Sequence, residues 1–463
     1  MNPPGQKIYK YDFRIVFFDK IYWCLKIEMM KNKTTKLAVL GLILIFGLSA
    51  VNALFYSIGY AFSFKTGTYI ISGDYMADLF KIALSYPKLR DLVQSGQVTF
   101  PPFLAPLLNV YYKYVAYHGV DGLASGQLTH FHLPPVTTGL ILMSIGAFVT
   151  FGFISTTLAL IFSLIGLLVF ALSLSSLTKL DRFLILVAIV TSYPFIFLLQ
   201  RGNFVGFYAF IFTVIAVMGL RNGAQKTSVL LMSIAVNIRP NLAVFIPLFY
   251  FMPYRNFKRP LAVTVLAILI CIGSAYFVNR SYADYTLGNF LLGLNIYKEM
   301  YVIGDWGFGY STSIYTLFKL ICKLINIKTE TNLALPILSM VGLLLSTHAY
   351  KLYYDGVIQR SGILFLLTTI SMLFTPVFAD YHLLMFALPA MFALEEEKDA
   401  RNFGGYSWSL SAITFITCCV LLSPLNYINY DGLYVASMLK IPVVLFLSII
   451  LTFQKYDPAI RDK

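Results

Sequence analysis

Charged side chains are scarce in this sequence. Asp, Glu, Lys and Arg together make up 12% of the 463 residues, whereas apolar residues make up 58%. A soluble domain usually carries about 25% charged residues. A chain of this length with so little charge would need one enormous core with almost no charged shell. The composition therefore excludes an ordinary soluble globular fold and indicates a membrane protein.

Cysteine and histidine are equally sparse, with five of each. The five cysteines show no metal-ligand spacing and most lie in apolar runs, so they predict no zinc site and do not indicate a redox compartment. The pair His130 and His132 is only a weak metal signal. We predict no metal site and no cofactor, and the sequence leaves open whether a divalent cation assists.

Acidic residues are outnumbered by basic ones, 21 against 35, which gives a net charge of +14. The basic residues are not gathered in one domain, as nucleic-acid binding would require. They form short clusters between apolar runs, such as Arg255, Lys258 and Arg259. This is the pattern by which cytoplasmic loops orient a membrane protein, so no nucleic acid is expected as a partner.

Apolar runs recur from Lys36 to Phe453. Since one span needs ~20 apolar residues, we count about 12 transmembrane helices, between roughly 11 and 14. The predicted fold class is an all-α polytopic membrane protein. A cytoplasmic segment, 1–36, precedes a single transmembrane domain, 37–453, and a cytoplasmic tail, 454–463. The first span has the form of an uncleaved signal anchor, and Met29 or Met30 is an alternative start.

Lys and Arg also predict the orientation. The N-terminal flank, KLDR, RNGAQK, YRNFKRP, KLYYDGVIQR and EEEKDARN all fit one side, which we assign to the cytoplasm of a plasma or inner membrane. Two long loops, about 61–102 and 280–332, then face outward together with RGN, ADYH and the loop near 426–434. Both termini are expected in the cytoplasm.

The first outward loop carries two aspartates, Asp74 and Asp78, which are four residues apart and share a face if the segment is helical. A carboxylate close to the membrane surface can act as a general base on a hydroxyl. The alternatives are a solvated acidic turn or a helix cap at Asp74. A late acidic run, Glu395 to Glu397, is expected to be a solvated loop.

Two arginines stand close to apolar spans. Arg201 lies in the break RGN, where a plain turn with a surface arginine is the alternative. Arg239 lies between SIAVNI and PNLAVFIPLF, and a charge at that depth should face a cavity or an anion unless it snorkels to the interface. Pro240 breaks the helix there. Both guanidinium groups are candidates for charge-assisted contact with an anionic ligand.

A further break, ADYH, holds Tyr381 and His382 after Pro376, and a lone histidine is more often structural. Together these features resemble glycosyltransferase family 87, the polyprenol-phosphate-mannose-dependent α-mannosyltransferases. The resemblance is carried by the aspartates before an aromatic-Pro-Pro, the Gly-Asn break, the basic-Pro site, GYSTSIYTLFK and the Tyr-His break. It is strongest over RGNFVGFYAFIFTVIAVMGLRNGAQK and the segment through YRNFKR.

The resemblance implies a C-type glycosyltransferase bundle with an outward-facing first loop. It implies transfer of a hexose, most simply mannose, from a polyprenyl-phosphate donor to a glycan or glycolipid acceptor at the outer face of the membrane. An inverting enzyme needs one base, which maps onto Asp78, with Asp74 as second choice. Substrate binding maps onto Asn203 in the Gly-Asn break and onto Tyr381 and His382.

Two other classes fit part of the pattern. A transporter or flippase of lipid-linked glycans would explain Arg239 and its broken helix, although such proteins usually show internal repeats and none is found here. An O-antigen-type polymerase or ligase is a second alternative. Those enzymes typically have a large late outward loop, whereas the one here, 426–436, is short.

Overall fold

The computed structural model describes just over half of the chain. The described residues are 133–151, 153–192, 194–195, 198–199, 203–252, 254–281, 286–304, 311, 313–325, 331–375, 380–402, 413, 427–430, 433–436 and 440–452. Within them the fold is helical, apart from one short hairpin. The spans expected near 37–60, 103–117 and 407–425 lie outside these residues, except for the single position 413, as do the N-terminal segment and the tail.

The first half of the described fold contains seven α-helices. In chain order these are α1 (Pro135–Phe151), α2 (Phe153–Ser173), α3 (Lys179–Val190), α4 (Phe204–Arg221), α5 (Gln225–Ile238), α6 (Leu248–Phe251) and α7 (Lys258–Ser281). A 3₁₀ segment, Pro240–Phe245, separates α5 from α6. The helices follow the predicted apolar runs closely, because each run ends at a polar or glycine-containing connection that cannot continue it.

The second half contains six more helices and the hairpin. These are α8 (Leu287–Tyr297), α9 (Ile314–Leu324), α10 (Thr331–Tyr354), α11 (Arg360–Leu373), α12 (Ala387–Asn402) and α13 (Lys440–Thr452). A π-helical turn, Lys298–Ile303, follows α8, and a 3₁₀ segment, Asp380–Phe386, precedes α12. Two antiparallel strands, β1 (Tyr427–Tyr430) and β2 (Leu433–Ala436), pair Tyr427 with Ala436.

Three of the described helices are long and apolar enough to cross a membrane. They are Ser155–Ser173, Phe204–Arg221 and Lys258–Arg280. Since ~20 apolar residues match the hydrocarbon thickness of a bilayer, these helices indicate a membrane protein. They differ in surroundings: 83% of the second is buried inside the protein, against 28% and 17% of the other two. The second, α4, therefore lies at the centre of the bundle.

The core forms around α4 and α11, whose side chains are buried on almost every face. Helix α5 packs between α4 and α7, and α12 packs against α11. The 3₁₀ segment Pro240–Phe245 contacts α11, and the segment Asp380–Phe386 contacts both α4 and α11. Both 3₁₀ segments, each of which interrupts an apolar run, are thus held against the same central helix.

Candidate functional site

Asn203 begins the central helix α4. Its Oδ1 accepts a hydrogen bond from the backbone N–H of Gly206 at 2.9 Å. Asparagine is a favoured N-cap residue because its side-chain oxygen satisfies one of the free N–H groups in the first helical turn. Asn203 was expected to bind substrate. The structure gives it a definite structural role at the helix start, close to the next residue of the site.

Arg239 lies at the break between α5 and the 3₁₀ segment. Its backbone is extended, with φ −136° and ψ 94°, and Pro240 begins the next turn. The broken helix leaves backbone groups that must find partners inside the protein. Thr137 donates to the carbonyl of Ile238 at 3.1 Å, and Tyr350 donates to that of Val244 at 2.6 Å. The predicted helix break at Arg239-Pro240 is therefore present and is supported by neighbouring helices.

The guanidinium group of Arg239 lies against the first turn of α4. A Cβ atom placed on Gly206 would be 3.2 Å from Arg239 Nη2 and 2.8 Å from Asn203 Oδ1. Only a residue without a side chain leaves room for both groups. The structure thus brings two of the predicted site residues, Asn203 and Arg239, to one place, with Gly206 between them.

The electrostatics of this arrangement are unusual. A helix N-terminus carries a partial positive charge, and the guanidinium group beside it carries a full one. Arg239 is partly buried. In the part of the chain that the structure describes, no carboxylate pairs with it. Two positive groups that face each other at low dielectric favour an anion between or beside them.

The segment that carries His382 lies at the same end of the bundle. Asn241, two residues after Arg239, donates to the carbonyl of Ser371 at 2.7 Å, close to the end of α11. The chain leaves α11 at Leu373 and returns in the 3₁₀ segment Asp380–Phe386, which packs on α4 and α11. His382 is partly buried within that segment. Of its neighbour Tyr381 the structure describes the backbone alone.

At the opposite end of the bundle, a second polar cluster joins the helices to one another. Glu395 on α12 forms an ion pair with Arg221 at the end of α4. The same carboxylate accepts from the backbone N–H of Ser176 at 2.5 Å, and Arg221 donates to the carbonyl of Leu174 at 3.2 Å. The connection after α2, the end of α4 and helix α12 therefore meet at one end of the bundle, although they are distant in sequence.

The basic loops lie at the same end of the bundle. Arg259 donates to Gln225 at 3.1 Å, and the guanidinium of Arg255 lies 4.3 Å from the ring centre of Tyr354. These contacts join the segments RNGAQK, YRNFKRP and KLYYDGVIQR, which were all assigned to one side of the membrane. The described helices therefore have two distinct polar ends, one basic and clustered, the other built around Arg239.

The acidic run is not the solvated loop that we expected. It continues helix α12, and Glu395 and Glu397 are only 3% and 7% exposed. The middle residue, Glu396, accepts from the hydroxyl and the backbone N–H of Ser361. Burial raises the pKa of the Glu396 carboxyl from 4.5 to about 7, against the opposing effect of Ser361 and Arg360. The expectation failed because the partners of these carboxylates are distant in sequence.

Several predicted site residues lie outside the described residues. Asp74 and Asp78, the candidate bases, are among them, and so is Arg201. Within the described residues no group of three His, Cys, Asp or Glu side chains could hold a metal ion.

Sequence reasoning did not single out Gly206, Thr137 or Asn241. Asn203 directly before an apolar run is a recognisable N-cap signal. Nothing in the sequence pairs that cap with Arg239. No protein-family model, curated protein or solved structure matches this chain.

Proposed function

We propose that this protein is a membrane-embedded glycosyltransferase that takes a hexose, most simply mannose, from a polyprenyl-phosphate donor. The observation that carries the proposal is the Arg239 guanidinium against the first turn of α4. Both groups are positive and lie at a break in an apolar helix pair. A phosphate attached to an isoprenoid tail suits such a place, because the tail needs an apolar groove and the phosphate needs cations.

Arg239 would hold the donor phosphate by a charge-assisted contact. The N–H groups of the first turn of α4 that Asn203 does not cap would add donors to the same oxygens. Arg201 precedes Asn203 by two residues. Its position in sequence makes it a second candidate cation for that phosphate, and His382 and Tyr381 follow as candidates for binding the sugar or the acceptor.

The reaction requires one base. An acceptor hydroxyl would lose its proton to a carboxylate while its oxygen forms a bond to the anomeric carbon. The bond between that carbon and the phosphate oxygen breaks, and polyprenyl phosphate leaves with inversion at the carbon. Asp78 is the proposed base and Asp74 the alternative, because a carboxylate beside the membrane surface reaches a membrane-anchored donor.

The number of spans, the membrane and the position of the termini belong to the same proposal. We propose a C-type bundle of about 12 spans, placed in the plasma or inner membrane with both termini in the cytoplasm. The acceptor is a glycan or glycolipid on the outer face. The lipid bilayer, the donor and the acceptor are the proposed partners.

A transporter or flippase of lipid-linked glycans is the second candidate function. It is favoured by the same broken helix, since discontinuous helices that aim an N-terminus at an anionic substrate are typical of transporters. The two candidates differ in one outcome: a transporter moves the lipid-linked sugar unchanged, whereas a transferase cleaves the bond between sugar and phosphate.

The test is sugar transfer in reconstituted vesicles from a radiolabelled polyprenyl-phosphate mannose to a glycolipid acceptor extract. Arg239→Ala should raise the donor KM by about 10- to 100-fold, the value of a lost hydrogen bond to a charged group. Arg239→Lys should recover part of that loss. Arg255→Ala, which removes an arginine from the opposite end of the bundle, is the matched control and should leave KM unchanged.

The base is tested in the same assay. Asp78→Asn should lower turnover by about 10²- to 10⁴-fold while leaving membrane insertion intact, and Asp74→Asn should lower it less. If Asp74→Asn abolishes transfer and Asp78→Asn does not, the base is misassigned. If labelled donor crosses the bilayer without cleavage, the protein is a transporter. If no donor is bound or cleaved, the proposed function is wrong.

A further inference from the structure

Helix α9 (Ile314–Leu324) is turned with its polar side inward. The side chain of Lys319 is 4% exposed, and Tyr315, Thr316 and Cys322 are also buried. On the other side, Phe318 is 43% exposed, Ile321 48% and Leu324 50%. A helix on the surface of a soluble protein has the reverse arrangement, with apolar residues in and lysine out.

The inward side is fixed by hydrogen bonds. Lys319 Nζ donates to the carbonyl oxygens of Val302 at 2.9 Å and of Gly304 at 2.7 Å. Three buried hydroxyls, Ser311, Ser313 and Thr316, bond to one another, and the Thr316 backbone N–H donates to Ser313 Oγ at 3.1 Å. The helix cannot rotate to hide its apolar side without breaking the two bonds of Lys319, so the exposure of that side is a property of the fold.

The length of α9 limits what can cover the apolar side. Its 11 residues extend about 16 Å at 1.5 Å per residue. That is roughly half of the ~30 Å hydrocarbon core, so the helix is too short to cross it. A helix with a strong apolar face that cannot span is typical of one lying in the plane of the membrane surface.

Two neighbouring features identify lipid as the covering material. Helix α10, which packs against α9, itself exposes Met340, Leu343 and Leu344 at 63–68%. The apolar side of α9 thus adjoins a helix with the exposed apolar side chains of a lipid-facing surface. In addition, the segment 311–325 contains no acidic residue, and its second lysine, Lys323, is partly exposed, which suits anionic headgroups.

We propose that α9 lies flat in the membrane surface, with Phe318, Ile321 and Leu324 in contact with lipid and Lys319 anchoring the helix to the preceding turn. The partner is a bilayer containing anionic phospholipid. This inference does not depend on the proposed transferase activity, since it concerns a different element and is read by a different measurement.

The experiment places the photo-crosslinking residue benzoylphenylalanine at single exposed positions of the full chain. The variants Phe318→benzoylphenylalanine and Ile321→benzoylphenylalanine are reconstituted in phosphatidylethanolamine and phosphatidylglycerol vesicles, irradiated and weighed intact by mass spectrometry. Both should gain the mass of one phospholipid. Ile268, 54% exposed on the apolar helix α7, is the lipid-facing comparison, and its yield should be similar.

Tyr315→benzoylphenylalanine, on the buried side of α9, is the matched control and should form links within the chain and no lipid adduct. The proposal is overturned if positions 318 and 321 link to a second copy of the chain, which would make the face a dimer interface. It is also overturned if they give no lipid adduct while position 268 does. Both outcomes are read at exposed positions, so misfolding of the Tyr315 variant would change neither of them.

Discussion

Gly206 is the smallest residue of the candidate site and the one on which its geometry depends. We predict that Gly206→Ala disrupts the start of α4, because the added methyl group would lie 2.8 Å from Asn203 Oδ1 and 3.2 Å from Arg239 Nη2. Loss of an N-cap costs about 1 kcal/mol. The midpoint of thermal unfolding in detergent should fall, and donor binding should weaken with it.

The control for that substitution is Gly166→Ala. Gly166 lies in the interior of α2, and nothing lies within 4 Å of the position that its Cβ would occupy. Since alanine is favoured over glycine inside a helix by about 1 kcal/mol, this variant should unfold at the same temperature or higher. Equal behaviour of the two variants would mean that the cap and Arg239 do not restrict position 206.

At the scale of single residues, the sequence could single out Arg239 but not the residues around it. The cost of a charge in an apolar run made Arg239 a candidate site residue, and the predicted helix break at Pro240 is present. The sequence could not show which residues contact Arg239, because the start of α4 and the end of α5 come together only in the tertiary structure. The same reason explains the error at Glu395, whose partner Arg221 is 174 residues away.

At the scale of elements, helix α11 begins with a cap supplied by another helix. Gln359 precedes α11 and makes no side-chain cap hydrogen bond. The carboxylate of Glu396 on α12 accepts from the Ser361 backbone N–H at 3.3 Å instead. The start of one helix therefore depends on the protonation of a residue on its neighbour.

This dependence gives a pH prediction. Burial raises the folded-state pKa of Glu396 to about 7, above its ordinary value of 4.5. The folded protein thus binds the proton more tightly than the unfolded chain, and its stability falls as pH rises between those two values. The contribution lost is at most about 3 kcal/mol. Thermal unfolding in detergent across that pH range should show the decline.

The variant Glu396→Gln is the comparison. An amide stays neutral at every pH and keeps an oxygen that can accept from Ser361. Its unfolding temperature should therefore vary less with pH than that of the unchanged protein, with the two converging at the acid end. A parallel decline in both proteins would assign the pH effect to other groups.

Most helices could be predicted as elements, because apolar run length and polar connections set their bounds. Helix α12 could not be bounded from the sequence. The acidic run that was expected to be a loop is helical, and α12 continues through Asn402, because Arg221, Ser176 and Ser361 satisfy carboxylates that would otherwise need water. The hairpin of β1 and β2 was expected only as a loop, since eight paired residues carry too weak a pattern.

At the scale of the whole molecule, the contacts sort the described helix ends into two groups. Arg259 with Gln225, and Arg255 with Tyr354, hold three basic loops at one end. We predict that Lys226→Cys and Asp355→Cys, both exposed, react with a membrane-impermeant maleimide from the same side. From the distribution of basic residues, we propose that this side is the cytoplasm. Inside-out and right-side-out vesicles provide the measurement.

Glu299→Cys probes the other side, because α7 starts at the basic end and should carry the chain across before Glu299 is reached. It should react in right-side-out vesicles, where the other two variants do not. Labelling of Lys226→Cys and Asp355→Cys from opposite sides would contradict the contacts between their loops.

The arrangement of helices around one another could not be predicted. Helices α4 and α7 are both apolar on all sides, so neither sequence shows which face is covered by protein and which by lipid. In the structure 83% of the span in α4 is buried, against 17% of that in α7. In a membrane, burial by protein and exposure to lipid select the same side chains, and this removes the signal that a soluble core would provide.

The contacts of Glu395 also affect the order in which the bundle can assemble during synthesis. Ser176 and Arg221 precede Glu395 by 219 and 174 residues. At synthesis rates of about 5–20 residues per second, they wait roughly 10 to 40 seconds for their partner to leave the ribosome. Throughout that interval the early helices lie in the membrane with a cation at their edge that lacks its carboxylate partner. The bundle is completed only from its late half, and a chain interrupted before Glu395 keeps that cation exposed to any factor that recognises unfinished membrane proteins.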